Sequence, residues 1–358
     1  MVQMKRLFLA FLCGVIALNM AAQEKVYQID EVSVINYGDG RLLFRQLNDD
    51  KTPLQGEHRI IDGYHSEYLL ANFKDGMFDG LYRHFKRNAL AEESIYKNGN
   101  LDGYRKLYYS DGKTLQQEAT FTEGKLNGVS KSYTQNGKLE TEAVYKMGVQ
   151  DGYDRRYDYE TGELRLDTYY KDGKPDGNWV EQIISNVGDY TRRSSYKNGM
   201  LTGIYSETWK DGIPRKKGTY KDGKKDGVWT EYRRDGTPTI STTYKADEKT
   251  GEEIRYFTDG KPETSTNYLN GKRDGVRREY YNGNGNLKSE RTYKANKEEG
   301  PYKRFYESGT LREEGECKNG MEVYRKEYYD NGKLKSVAER QNGSWNTLER
   351  YDSNGKKQ

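Results

Sequence analysis

Cysteine and histidine are scarce in this chain of 358 residues, which has two of the first and three of the second. Cys13 lies in an apolar run near the start. Removal of that run leaves Cys317 alone, which excludes an intrachain disulfide. Cys317 stands in a slot that other units fill with Tyr or Phe, so it is expected to be a half-buried packing residue. His58, His65 and His84 all fall in the first quarter, with no cysteine beside them. A closed zinc site needs about four ligands, so no metal is expected. There is no nucleophile elbow and no calcium loop of the Asp-x-Asp-x-Asp-Gly kind. Only 33% of the residues are hydrophobic while 32% are charged, too little apolar material for one thick core. No segment keeps an apolar spacing of 3.6 residues, which argues against helices. The charges are mixed and nearly balanced, at +4 for the whole chain, so there is no basic stripe and no nucleic-acid partner is expected.

What the chain has instead is repetition. A leading aromatic recurs at Phe73, Tyr96, Phe121, Tyr145, Tyr170, Tyr196, Tyr220, Tyr244, Tyr268 and Tyr293, with Cys317 in the eleventh place; the period is about 24 residues. Three residues on is a glycine: Gly76, Gly99, Gly124, Gly148, Gly173, Gly199, Gly223 and Gly271, with Gly320 at the end. Asp247 and Asn296 replace it twice, and these side chains tolerate a left-handed backbone. Seven residues on is a second glycine: Gly80, Gly103, Gly128, Gly152, Gly177, Gly203, Gly227 and Gly275, with Gly251 and Gly300. A third turn follows, as in Asp235-Gly236 and Asn331-Gly332. Asn-Gly and Asp-Gly between aromatic-bearing runs predict hairpins. Each unit therefore reads as a short polar loop holding both first glycines, a strand, a tight turn and a second strand. Pro214, Pro238 and Pro262 stand near the start of that second strand, where no ladder donor is lost.

The fold predicted is all-β: an elongated array of antiparallel hairpins in one twisted layer. Residues 1–22, with Lys5-Arg6 and the apolar Leu7–Leu18, read as a signal peptide that ends before Gln23. Residues 23–72 are degenerate hairpins that cap the array, 73–340 carry the regular repeats, and 341–358 form a degenerate end.

After the second glycine, the fifth residue is aromatic in eight of ten units: Phe85, Tyr108, Tyr133, Tyr157, Tyr232, Tyr256, Tyr280 and Phe305. The second and sixth residues face the other way, since the strand period is two. They supply the candidate interaction aromatics Tyr82, Tyr109, Trp179, Tyr205, Trp209, Trp229, Phe257, Tyr281, Tyr302 and Tyr306. Tyr and Trp combine a large contact area with a polar handle and suit a protein-binding face. The segment Ile183–Asp189 is the least regular and reads as a longer hairpin loop. The Asp-Gly aspartates recur in every unit, which assigns them to turn formation rather than catalysis.

The stretch Tyr220-Lys-Asp-Gly-Lys-Lys-Asp-Gly-Val-Trp-Thr-Glu-Tyr-Arg-Arg-Asp-Gly236 resembles the bacterial variant of the MORN repeat, and the resemblance runs from Phe73 to about Gly355. It implies stacked hairpins and a role in protein interaction or membrane association, with no catalytic residue and no cofactor. Many bacterial relatives carry an antitoxin label. The leader and the repeats together lead to an expected function: a non-catalytic exported scaffold, periplasmic, envelope-associated or secreted, that binds a protein partner. Two alternatives stand beside it, an antitoxin-like binder of a toxin and a binder of envelope glycan or lipid.

Overall fold

The computed structural model describes residues 25–358. The expected leader, residues 1–22, lies outside them. Among the described residues 27 strands make one open, mostly antiparallel sheet, and two more strands pair separately. A single 3-10 turn, Ile29–Glu31, is the one departure from strands and loops among those residues. The described residues divide into a first unit, residues 25–128 with 135–137, and a second, residues 129–134 with 138–358.

The repeat unit differs from the sequence reading in one respect. Between units there is no six-residue polar loop. Asp222 and Gly223 form a two-residue turn with φ of +51° and +80°. Both central residues are left-handed, which suits the right-handed twist of the flanking strands. The next strand begins at once, at Lys224, so the second glycine lies inside the strand run. There it serves a bulge. Tyr244 pairs with Lys249 and Thr242 with Glu253, so one residue on the first strand opposes three on the second, Gly251 among them. A bulge of this kind requires positive φ, and a side chain would also collide: a Cβ on Gly103 would lie 2.8 Å from the Cβ of Ile95. Where Tyr324 replaces the glycine, the bulge shrinks to one residue, with Cys317 paired to Glu322 and Glu316 to Tyr324. That lost residue is why the turn glycines Gly320 and Gly332 lie 12 apart rather than 13. The closing segment continues the pattern, with strands Leu334–Gln341 and Ser344–Arg350 joined by a turn at Asn342-Gly343.

Neighbouring repeats are tied through their turns. The Gly99 amide donates to the Phe78 carbonyl at 2.8 Å, and the same bond recurs from Gly124 to Leu101 and from Gly223 to Leu201. The aspartate before the second glycine caps the next repeat's turn: the Asn98 amide donates to Asp79, the Asn198 amide to Asp176 and the Ala295 amide to Asp274. Asp247 and Asn296 replace the first glycine at φ of +72° and +74°, and each side chain accepts a backbone N–H of the preceding repeat, from Lys225 and Arg273. The aspartates thus serve turns, but partly those of the following unit.

In the first unit the hairpin of Val32–Asn36 and Leu42–Gln46 is not a further rung of the sheet. It lies on it. Phe44 packs edge-on to Phe73 at 5.2 Å and against Phe78 at 4.9 Å, and its amide donates to the Gly76 carbonyl. Val32, Leu54, Ile60 and Ala71 complete the cluster. A Cβ on Gly76 would meet the Phe44 carbonyl oxygen at 2.6 Å, so this turn is glycine for packing as well as for φ. Burial of each such large apolar side chain contributes about 1.5–3 kcal/mol.

Candidate functional site

Each repeat strand presents two sets of side chains. The first includes the leading aromatic and the second and fourth residues after the second glycine. In the second unit these form rings interleaved with ion pairs. Trp229 is 4% exposed: its indole N–H donates to the Thr219 carbonyl at 3.0 Å, and it lies against Gly218, where a Cβ would sit 2.2 Å from the ring. Tyr302 is 1% exposed, with its hydroxyl on Glu313 at 2.7 Å and its ring against Gly315. Burial removes both from any accessible binding face. This corrects the expectation for these two rings.

The remaining candidates are half-buried. Tyr82 packs on Phe78 and Tyr96, and Trp179 packs between Tyr170 and Tyr196. Tyr205 bonds Glu207, meets Tyr220 edge-on and packs at a tilt against Trp229. Tyr281 and Tyr306 donate their hydroxyls to the carbonyls of Phe305 and Tyr328 in the next repeat, both at 2.9 Å. Phe257 offers its carbonyl to the Arg233 guanidinium, and Tyr109 closes its turn through a backbone bond to Thr114. These rings are integrated into the stack. One signal in the sequence foretells this. The residue two before each leading aromatic is small in most units: Ala71, Ser94, Ala119, Ala143, Thr168, Ser194, Gly218, Thr242, Thr266 and Gly315. Small residues there leave room for the ring on the neighbouring strand, as Thr168 does opposite Trp179.

Trp209 is placed differently. Arg215 and Arg234 cover it at 5.4 and 4.8 Å, and Tyr190 meets it edge-on at 5.9 Å. Its indole N–H is buried with no hydrogen-bond partner among the described residues. It lines a cavity of about 410 Å³ together with Leu164, Gln182, Ile183, Thr191, Arg193 and Thr208. This volume is within the range of small-ligand pockets.

The cavity has a cause in the repeat. In the other hairpins the fifth residue after the second glycine is a ring set opposite Leu or Pro: Tyr157 faces Leu164, Tyr232 faces Pro238 and Tyr280 faces Leu287. Two successive units break this row with Gln182 and Thr208. Thr191 pairs with both, so Gln182, Thr191 and Thr208 form a ring-free floor across three strands. The Thr191 hydroxyl bonds the Gln182 amide oxygen at 2.9 Å. Arg193, two residues along on the same side, is exposed and pairs with no acid among the described residues. In a row of eight rings, the two exceptions mark the opening.

The same units have irregular turns. The hairpin of Lys174–Ile183 and Tyr190–Lys197 has no bulge before its turn and runs in register to the Ile183–Tyr190 pair. The loop beyond it, expected from sequence, leaves Ile184 63% and Val187 69% exposed. In the preceding turn Tyr159 is 63% exposed. Asp158 anchors that turn: the Thr161 backbone N–H, then the Arg165 guanidinium, lower its carboxyl to about 2. Other turns along this edge of the second unit are polar, such as Arg234-Asp-Gly236 and Glu307-Ser-Gly309.

No group of acids, histidines and cysteines among the described residues could hold a metal ion. Cys317 is buried, and burial, with Glu298 and Glu322 nearby, pushes its thiol up to about 11.

Five segments match the family model described as MORN repeat variant: residues 126–147, 249–270, 273–295, 298–319 and 321–342. The ring-free floor lies between the first two. No curated protein matches the chain. Two solved structures, a TcdB2-TccC3-Cdc42 complex and TcdB2-TccC3-TEV, align with 89% and 88% of it at 11% and 13% identity, each with a TM-score of 0.13. The chain spans 20% and 19% of their length, an overlap too slight to bear on fold or function. The repeat matches, the hairpin period and the bulge glycines agree: the chain belongs to the MORN-repeat proteins of the variant type.

Proposed function

We propose that this chain is an exported, non-catalytic scaffold that holds a protein partner at its interrupted edge. The observation that carries this is the concentration of exposed Tyr159, Ile184 and Val187 on two consecutive turns, beside the only stretch of the second unit where the ring row stops. Exposed apolar side chains grouped at one place and rimmed by charge suit a protein interface. The regular repeats on either side supply a rigid support, because their turns are bonded to one another.

Replacing Ile184 and Val187 together by serine tests the reading. Both side chains point to solvent, so the circular dichroism spectrum stays the same. Crosslinking of the chain to its partner in the native host falls by tenfold or more. Unchanged crosslinking would sink the proposal. The export half rests on Lys5-Arg6 followed by Leu7–Leu18. Mass spectrometry of the native protein is expected to find an N-terminus at Gln23 outside the cytoplasm; an intact Met1 in the cytoplasm would contradict it.

A further inference from the structure

We infer that the cavity over Gln182, Thr191 and Thr208 receives an aromatic side chain of the partner, set next to an acidic residue that pairs with Arg193. This rests on the scaffold reading and names its anchor point. Eight hairpins place a ring opposite a Leu or Pro at this row, from Phe85 facing Leu90 to Tyr328 facing Leu334. At Thr208 the partner residue is Pro214, which is exposed and has a threonine opposite it instead of a ring. Next to the gap, Leu164 is 39% exposed and lines the cavity with Ile183 and Trp209. A ring brought in from outside restores the packing that the chain makes for itself elsewhere. The floor below it offers the hydroxyls of Thr191 and Thr208 and the amide of Gln182, which suit a phenol or indole with one polar atom.

Charge narrows the choice. Arg193 has no acid partner among the described residues, whereas Arg165 beside it is held by Asp158 at 3.0 Å. A guanidinium in that state favours a carboxylate. The rim also carries Lys210 together with Glu163 and Asp189. Mixed signs fit a polypeptide surface better than a uniformly charged polymer. Hot-spot side chains of protein interfaces are likewise rings seated in a central pocket with an excluding rim.

The probe is the blocked dipeptide acetyl-aspartyl-tyrosine amide, followed by saturation-transfer NMR and by titration of the full chain. Wild type is expected to bind it with a dissociation constant on the order of millimolar, as for a single anchor residue. Thr208→Tyr rebuilds the row with the residue other repeats use, so it folds, and it should weaken binding by about tenfold or more. Arg193→Ala should weaken the dipeptide about threefold to tenfold and leave acetyl-tyrosine amide unaffected. The inference is overturned if wild type shows no binding, if Thr208→Tyr binds as wild type does, or if acetyl-aspartyl-serine amide or N-acetylglucosamine binds equally well. Crosslinks from Ile184 and Val187 report on the scaffold reading separately: their persistence alongside a silent dipeptide removes the anchor and keeps the scaffold.

Discussion

The first repeats and the last ones solve one problem by opposite means. Both must cover a sheet face on which the leading aromatics stand. In the first unit an apolar hairpin lies over Phe73 and Phe78, and its Phe44 seals them together with Leu54 from the segment that follows. In the last repeats no such hairpin is present among the described residues. Arg291, Arg304, Glu298, Glu313 and Glu322 form a connected network around Tyr293, Tyr302 and Cys317 instead. The difference shows that the repeat backbone does not dictate a core. Turn glycines and bulges hold the rungs in place, and the face can then be finished with oil or with ions. A thin array tolerates this because each rung depends chiefly on its neighbours.

The contrast can be broken from either side, and hydrogen exchange reads each side separately, which a single melting temperature cannot. Phe44→Ala should have the largest effect. It opens a cavity under Phe73 and Phe78 and should cost about 3–5 kcal/mol in the first repeats, with exchange in residues 287–328 unchanged. Gly315→Ala comes next. The new Cβ would lie 2.1 Å from the Tyr324 carbonyl oxygen and 2.8 Å from the Tyr302 ring, and about 3 kcal/mol of local stability should be lost there. Arg304→Met leaves Glu313, at 7% exposure, without its cation and should cost about 2 kcal/mol in the last repeats alone.

Acid should separate the two regions by onset rather than by size. Burial holds His58 below its ordinary value, so it stays neutral in the fold while the unfolded chain binds a proton. Stability of the first repeats therefore falls as pH drops below about 6.5, toward the lower folded value. Burial pushes the Glu298 carboxyl upward, but the hydrogen bond from Tyr293 and the charge of Arg291 outweigh it and hold it below the usual range. Its contribution is present above about pH 4.3, the unfolded value, and is lost as pH falls through the folded one. Exchange measured at pH 5 should thus speed up in residues 56–78 before residues 289–322; the reverse order would refute the account. The smallest effect concerns Cys317. With its thiol near 11, about one molecule in a thousand is thiolate at pH 8, and a thiol reagent should label it only after denaturation.

Much of this was legible in the sequence. The period, the hairpins and the left-handed turns follow from Gly, Asn and Asp at fixed offsets. The place of the second glycine did not, because a bulge inside a strand and a loop between strands use the same residue. The fate of the aromatics was half legible. Alternation put Trp229 and Tyr302 on the face opposite the fifth-position rings, but it could not show that Gly218 and Gly315 admit their rings into the sheet. The cavity was written as two exceptions, Gln182 and Thr208, in a row otherwise aromatic. An exception in a repeat carries more functional information than the consensus, since the consensus is spent on stacking.

That claim is tested most directly by a photocrosslinking amino acid placed in turn at Ile184, in the irregular edge, and at Ser308, in a regular one. Both sites are loop positions of the second unit. Partner crosslinks from position 184 are expected at least tenfold above those from position 308. Equal yields from both, or an excess at position 308, would contradict it.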